Sequence, residues 1–270
     1  MHVVPGIDAL EPAHGPLFVV VGVFDGLHRG HMYLLDALDH ATAAAGANAA
    51  VVTFDHHPDE IVVGSAPPLL CDPRERLERL AGAGVDVTVV QHFDVALRTT
   101  PYDVFIRRIA ARTALAGFLM TPDSAFGYER GGTPQTVAAL GREMGYEVVV
   151  VPPFELDGQP VRSSDIRTAI SVGDLTTAER LLGRPMTLTG RIEAGGDGRT
   201  ARLRFDLPIA LPPRGSYAAR IRVDGTWRDG RATIDDRGLQ IEPAPAASHS
   251  ARVFVELRSP RGWAATLRER

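Results

Sequence analysis

The stretch Gly22-Val23-Phe24-Asp25-Gly26-Leu27-His28-Arg29-Gly30-His31 joins an apolar run, Leu17 to Val23, to a helical pattern running from His31 to Ala44. A β-rich run that feeds a helix through a glycine-rich turn is the building unit of parallel sheets with crossover helices. Gly22, Gly26 and Gly30 let the backbone approach a ligand closely, and the N–H groups that open the next helix face an incoming anion. His28 and His31 are three apart, so both imidazoles can fall on one side of the turn. From there they can donate hydrogen bonds to phosphate oxygens as charge develops in a transition state. Two plainer readings stay open from these residues alone. His31 can be a helix cap with His28 an ordinary turn residue, or the two can be metal ligands lacking a third.

Working outward, the first 185 residues alternate short apolar runs with helical patterns. Strands are expected at Leu17 to Val23, Ala49 to Phe54, Val87 to Gln91, Gly117 to Met120 and Glu147 to Val151. Helices are expected at His31 to Ala44, Pro73 to Ala81, Tyr102 to Arg112, Pro134 to Glu143, Ser164 to Ser171 and Leu175 to Leu182. The fold class this predicts is α/β, a doubly wound parallel sheet of Rossmann-like type with ligands at the carboxyl ends of its strands. After Pro185 the pattern becomes short alternating strands, for example Met186 to Glu193, Ala201 to Phe205, Tyr217 to Val223, Ala232 to Ile234 and Arg252 to Leu257, with Gly195, Gly196 and Gly198 between the first two and a loop expected at Glu242 to Ser250, the pattern of a small antiparallel β-barrel or sandwich. Two domains follow, 1–185 and 186–270.

Two further constellations fall where such a sheet binds ligands. Thr53-Phe54-Asp55-His56-His57-Pro58 closes the second expected strand, and Arg162-Ser163-Ser164-Asp165-Ile166-Arg167 opens a late helix. Ser164 reads as an N-cap with Arg167 one turn further in. Capping and phosphate binding are compatible, because both use the exposed N–H groups of a helix start.

Composition narrows the chemistry. All 29 basic residues among the 270 are arginine, so lysine-dependent P-loop, Schiff-base and amine-base mechanisms are excluded. Any phosphate must be held by arginine, histidine, backbone N–H groups or a metal. A net charge of −4 argues against a dedicated nucleic-acid binder. The apolar runs are far shorter than the roughly 20 residues that span a bilayer, and no signal-like segment opens the chain, so no membrane role and a cytoplasmic location are expected. The single cysteine, Cys71, has no partner for a disulfide or zinc site. Nothing in the sequence fixes the oligomeric state.

Together these stretches resemble the nucleotidylyltransferase superfamily, marked by a His-x-Gly-His turn after the first strand and a Ser-Ser-x-x-Arg-like helix start late in the domain. Within it the chain is similar to the bacterial bifunctional riboflavin kinase and FAD synthetase family, with further support from Asp123, Phe126-Gly127, Val151-Pro152-Pro153 and Leu181-Leu182-Gly183-Arg184-Pro185. The resemblance implies transfer of the adenylyl group of ATP to FMN, giving FAD and pyrophosphate with Mg2+. It implies that His28 and His31 hold the ATP phosphates and that Ser163, Ser164 and Arg167 hold the departing pyrophosphate. Gly22, Phe24, Asp25 and Gly30 would border the nucleotide, and Phe54, His57, Pro58, Asp123, Phe126 and Gly127 the flavin. No side chain is assigned as a metal ligand.

The chain departs from the family pattern in both halves. The loop Thr121-Pro122-Asp123-Ser124-Ala125 lacks an aromatic and a polar residue usual there, and His56 stands in place of a proline. In the second half, where the family carries Gly-Phe-Pro-Thr-Ala-Asn, this chain reads Arg204-Phe205-Asp206-Leu207-Pro208-Ile209, and Arg252 falls near the place of the family's glutamate base. Loss of the kinase step is therefore expected, since a neutral hydroxyl needs a positioned base and a metal needs oxygen ligands. Transfer to another phosphorylated acceptor, and a non-catalytic flavin- or nucleotide-binding protein, are the rival readings.

Overall fold

The computed structural model describes residues 1–193, 198–223, 225–245 and 251–258. Packing divides the chain into two compact units: Met1–Pro67 with Leu77–Pro160, and Pro68–Arg76 with Val161–Arg270. The sequence reading divides the chain at residue 185, whereas compactness groups residues 68–76 and 161–185 with the second unit.

The first unit contains β1 (His2–Val4), β2 (Leu17–Val21), α1 (Arg29–Ala45), β3 (Asn48–Phe54) and α2 (Pro58–Val62). The helix α3 (Pro73–Gly82) enters it at Leu77, and β4 (Val87–Gln91), α4 (Val95–Arg98), α5 (Tyr102–Ala110), β5 (Leu115–Met120), α6 (Pro134–Met144) and β6 (Glu147–Val150) follow. A short hairpin, β7 (Glu155–Leu156) and β8 (Gln159–Pro160), closes the unit. The six long-range strands pair in parallel in the order β1-β4-β3-β2-β5-β6.

That order is doubly wound. From β2 the chain adds β3 and β4 on one side, then returns to lay β5 and β6 on the other, so the topological switch lies between β2 and β5. The pleat of β2 divides its side chains between two cores. Leu17 and Val19 pack with Phe105, Ile106 and Ile109 of α5 and Val137 and Leu140 of α6. Phe18 and Val20 pack on the other face with Leu35 and Leu38 of α1 and Leu80 of α3. Each such fully buried side chain contributes about 1.5–3 kcal/mol of transfer free energy. The five expected strands are all present. The sixth, β1, is only three residues long, and the one-turn helices α2 and α4 are also additions to the sequence reading.

In the second unit, α7 (Ser163–Ser171) and α8 (Leu175–Leu182) precede β9 (Met186–Ile192), β10 (Ala201–Arg204), β11 (Gly215–Val223), β12 (Thr226–Asp235), β13 (Gly238–Glu242) and β14 (Arg252–Leu257). These six strands close into an antiparallel barrel in the order β10-β13-β12-β11-β14-β9, with β10 paired to β9. Closure leaves no unpaired strand edge, which decides between the barrel and sandwich alternatives. Alternate residues fill the interior, among them Leu188, Leu203, Ile221, Ile234, Leu239, Ile241, Val253 and Val255. Leu70, Ile166, Ile170, Leu175 and Leu182 belong to the same core. The strand expected at Ala232 to Ile234 is longer, and β13 was not expected at all. Gly195, Gly196 and most of the expected loop Glu242 to Ser250 lie outside the described residues.

Candidate active site

The turn after β2 is held open by its backbone. Phe24 and Leu27 adopt positive φ values of 54° and 36°, and Gly26 one of 78°. A bulky residue in the left-handed region stores strain of about 1–3 kcal/mol, and such strain persists only where neighbours enforce it. Here the enforcement is visible. The Gly22 N–H donates to Val52 O at 3.0 Å, and the fully buried Thr53 hydroxyl donates to Val23 O at 3.0 Å. Gly22 leaves room for the Phe24 ring, which would lie 3.1 Å from a Cβ at that position.

The strained turn delivers two imidazoles to the start of α1. His28 is the N-cap, and its Nδ1 accepts the His31 backbone N–H at 3.3 Å. Accepting at Nδ1 places the proton of neutral His28 on Nε2, facing away from the cap. The two rings stack with centroids 3.7 Å apart and 18° between planes, and the centroid of the Phe24 ring lies 5.0 Å from that of His31. Burial, aided by the neighbouring His28, holds the His31 imidazolium well below its ordinary pKa. Among the described residues, the buried His31 Nδ1 has no hydrogen-bond partner. Such an atom is costly unless something bound supplies the partner. Asp25 is buried in the same turn, while Gly30 lies in the first turn of α1, where the backbone N–H groups are unsatisfied by the helix itself. Arg29 packs its guanidinium 5.6 Å over the Phe154 ring.

At the switch point lies a cleft of about 610 Å³ bordered by Gly22 and Val23 of the turn, Phe54 and Pro58 after β3, Phe93 after β4, and Phe126 and Gly127 after β5. This aromatic wall with backbone at its rim suits a flat heterocycle. A smaller cavity of about 290 Å³ adjoins the end of β5 and is lined by Phe118, Asp123, Phe126 and Arg130. Gly127, at φ 76°, packs so closely on Tyr102 that a Cβ would meet its backbone N at 2.6 Å. The altered loop closes on itself. Thr121 N–H donates to Ser124 Oγ at 2.9 Å, the Thr121 hydroxyl donates to Asp123 Oδ1 at 2.7 Å, and Arg130 donates to Asp123 O at 3.1 Å.

The residues named from sequence are thus distributed as follows. Gly22, Phe24, Asp25, His28, Gly30 and His31 share one turn, and Phe54, Pro58, Phe126 and Gly127 share one cleft. Asp123 lines the smaller cavity, and His57 caps α2, its Nδ1 accepting Asp59 N–H at 3.2 Å. Ser163, Ser164 and Arg167 lie on α7 in the second unit, where Arg167 Nε donates to Pro68 O at 2.8 Å. The cap of α7 is Arg162 rather than Ser164, because the extended backbone ends at Arg162 and both serines already belong to the first turn. Sequence reasoning missed Thr53 as the brace of the turn, and Phe93, Phe105 and Arg130 as lining. The position of Phe93 just beyond the end of β4 was the available signal.

A doubly wound domain with stacked histidines at a helix start, beside a cleft at its switch point, defines an α/β domain of the nucleotidyltransferase type. The family model described as FAD synthetase matches residues 10–165. Over 266 residues the chain is 30% identical to the bifunctional riboflavin kinase/FMN adenylyltransferase of Pseudomonas fluorescens, covering 95% of this chain and 83% of that protein. It is 33% identical to the protein of the same description from Haemophilus influenzae, covering 81% and 74%. The chain belongs to the FAD synthetase family. A crystal structure titled macrolide-efflux protein from Streptococcus pneumoniae shares the fold, with a TM-score of 0.79, 20% identity and coverage of 99% and 96%.

Proposed function

We propose that the chain transfers the adenylyl group of ATP to FMN. A phosphate oxygen of FMN attacks the α-phosphorus of ATP, a new P–O bond forms, the bond to the β-phosphate oxygen breaks, and pyrophosphate leaves. The FMN phosphate is already an anion at neutral pH, so no general base is needed, and catalysis reduces to positioning and charge stabilisation. The observation that carries the reading is the buried, unpartnered Nδ1 of His31 stacked on His28 at the start of α1. His28 offers its Nε2 proton to a phosphate oxygen, and a bound phosphate returns to His31 the partner that the protein alone does not give it. ATP enters as its magnesium complex, so the ion is part of the substrate and neutralises phosphate charge.

The flavin is assigned to the aromatic cleft, with Phe54, Pro58, Phe93 and Phe126 against its rings and Asp123 and His57 toward its edge. Ser163, Ser164 and Arg167 keep the role the family motif implies, as ligands of pyrophosphate. The kinase step is assigned as lost. Arg252, near the place of the family's glutamate base, donates to Asp72 Oδ1 at 3.0 Å, and a guanidinium cannot accept the hydroxyl proton. Incubation of the full chain with ATP, Mg2+ and either FMN or riboflavin tests both statements. FAD is expected from FMN only. Absence of FAD overturns the transferase reading, and FMN formed from riboflavin overturns the loss of the kinase.

A further inference from the structure

The parallel pairing of β3 with β4 puts Phe54 opposite Gln91, so the residues that follow, Asp55 and His92, leave the sheet side by side. The backbone fixes the Asp55 carboxylate. Asp55 N–H donates to Gln91 O at 3.2 Å, and Oδ1 accepts the N–H groups of His56 at 2.8 Å and Phe93 at 3.1 Å. Each carboxylate oxygen then faces an imidazole, with Oδ2 2.6 Å from His92 Nδ1 and Oδ1 3.1 Å from His56 Nδ1. One ligand atom from each of the three residues lies within 4.8 Å of the other two.

We propose that Asp55, His56 and His92 bind one borderline divalent cation, of the zinc, cobalt or nickel kind, at the carboxyl ends of β3 and β4. Bonds of about 2.0–2.2 Å place the donors around such an ion about 3–4 Å apart, so the Asp55 Oδ1–His56 Nδ1 pair, at 3.1 Å, is already in range, and the Asp55 Oδ2–His92 Nδ1 pair, at 2.6 Å, opens slightly to admit the ion. The third closes by rotation of His56 and His92, both exposed, whose rings stand edge to face 5.7 Å apart. Two imidazoles with one carboxylate favour borderline cations over magnesium or calcium, which prefer oxygen throughout. The backbone bonds to Oδ1 supply the outer support that orients a metal-binding carboxylate.

The site uses none of the residues of the turn that carries His28 and His31, and the chain neighbours of its ligands line the cleft. Phe54 precedes Asp55, and Phe93 follows His92. A bound ion joins the ends of β3 and β4 and stiffens that wall.

Untagged full-length protein, treated with chelator and freed of nucleotide and flavin, is titrated with Co2+ by visible absorption and with Zn2+ by calorimetry. Neither titration requires adenylyl transfer, so this proposal and the functional reading fail separately. One equivalent is expected to bind, with affinity weakened about tenfold or more in both His56→Ala and His92→Ala and unchanged in His2→Ala, which alters another histidine pair, His2 with His14. Thermal unfolding without metal checks that the variants fold. Zn2+ is expected to raise the midpoint of the native chain and not that of His92→Ala. No saturable binding, or equal binding by His92→Ala, overturns the proposal and leaves a hydrogen-bonded histidine pair only.

Discussion

His28 and His31 lie ring on ring, 3.7 Å between centroids, with the Nδ1 of one accepting the backbone N–H of the other. The cap of α1 and the phosphate-facing pair are therefore one device: the bond that starts the helix also fixes which nitrogen of His28 carries the proton.

Removing that proton donor should act on the chemical step. For His28→Ala, kcat for FAD formation is expected to fall about 10²–10³-fold, the range seen on loss of one donor to developing charge. KM for FMN is expected to change little. Steady-state kinetics with FMN varied at saturating ATP checks the split.

His31 should leave a mark on stability as pH falls. The folded state holds its pKa below the ordinary value of about 6.5, so the unfolded chain takes up the proton first. The contribution is complete above about pH 6.5 and is lost as pH falls toward the folded value. Urea midpoints between pH 7.5 and 5.5 should therefore drop more for the native chain than for His31→Gln.

Thr53 is legible as a brace only in three dimensions. Thr53→Val keeps shape and removes the bond that the fully buried Thr53 hydroxyl donates to Val23 O. A loss of about 1–3 kcal/mol is expected by denaturant unfolding, together with a raised KM for ATP, because the strained Phe24 conformation depends on the same turn.

Gly127→Ala meets two obstacles, a φ of 76° and a Cβ 2.6 Å from the Tyr102 backbone. Backbone, not a flexible side chain, must give way. Destabilisation of about 1–3 kcal/mol and weaker FMN binding are expected, measured by urea unfolding and by quenching of flavin fluorescence.

The parallel sheet was readable because its inner strands are buried on both faces and so appear as continuous apolar runs, as in Leu17 to Val23 and Ala49 to Phe54. The turn from Gly22 to His31 was readable because its chemistry is contiguous in sequence. Length hid β1, α2 and α4, since three to five residues carry too few turns or alternations to stand out. In β13 only Leu239 and Ile241 face inward, and two residues do not establish a period. The cleft was legible in part. Phe54 and Phe126 stand in motifs and Phe93 follows the end of an expected strand, but Phe105 carries no local mark and joins the wall only because strand order brings its segment there. The cap of α7 was misplaced because a serine is the favoured cap, whereas the backbone turns one residue before the pair.

The segment Pro68–Arg76 belongs to the barrel unit although the chain on either side belongs to the other. Leu70 is buried in the barrel core, and Leu69 N–H donates to Pro208 O at 2.8 Å while Leu69 O accepts Ala210 N–H. No single cut of the gene yields either unit whole. A deletion starting at Val161 strips Leu70 of its surroundings and bares apolar surface on what is left, so the second unit is not a cassette that can be shed or exchanged. Its side chains can drift one at a time, residue by residue, while its backbone remains bound to stay.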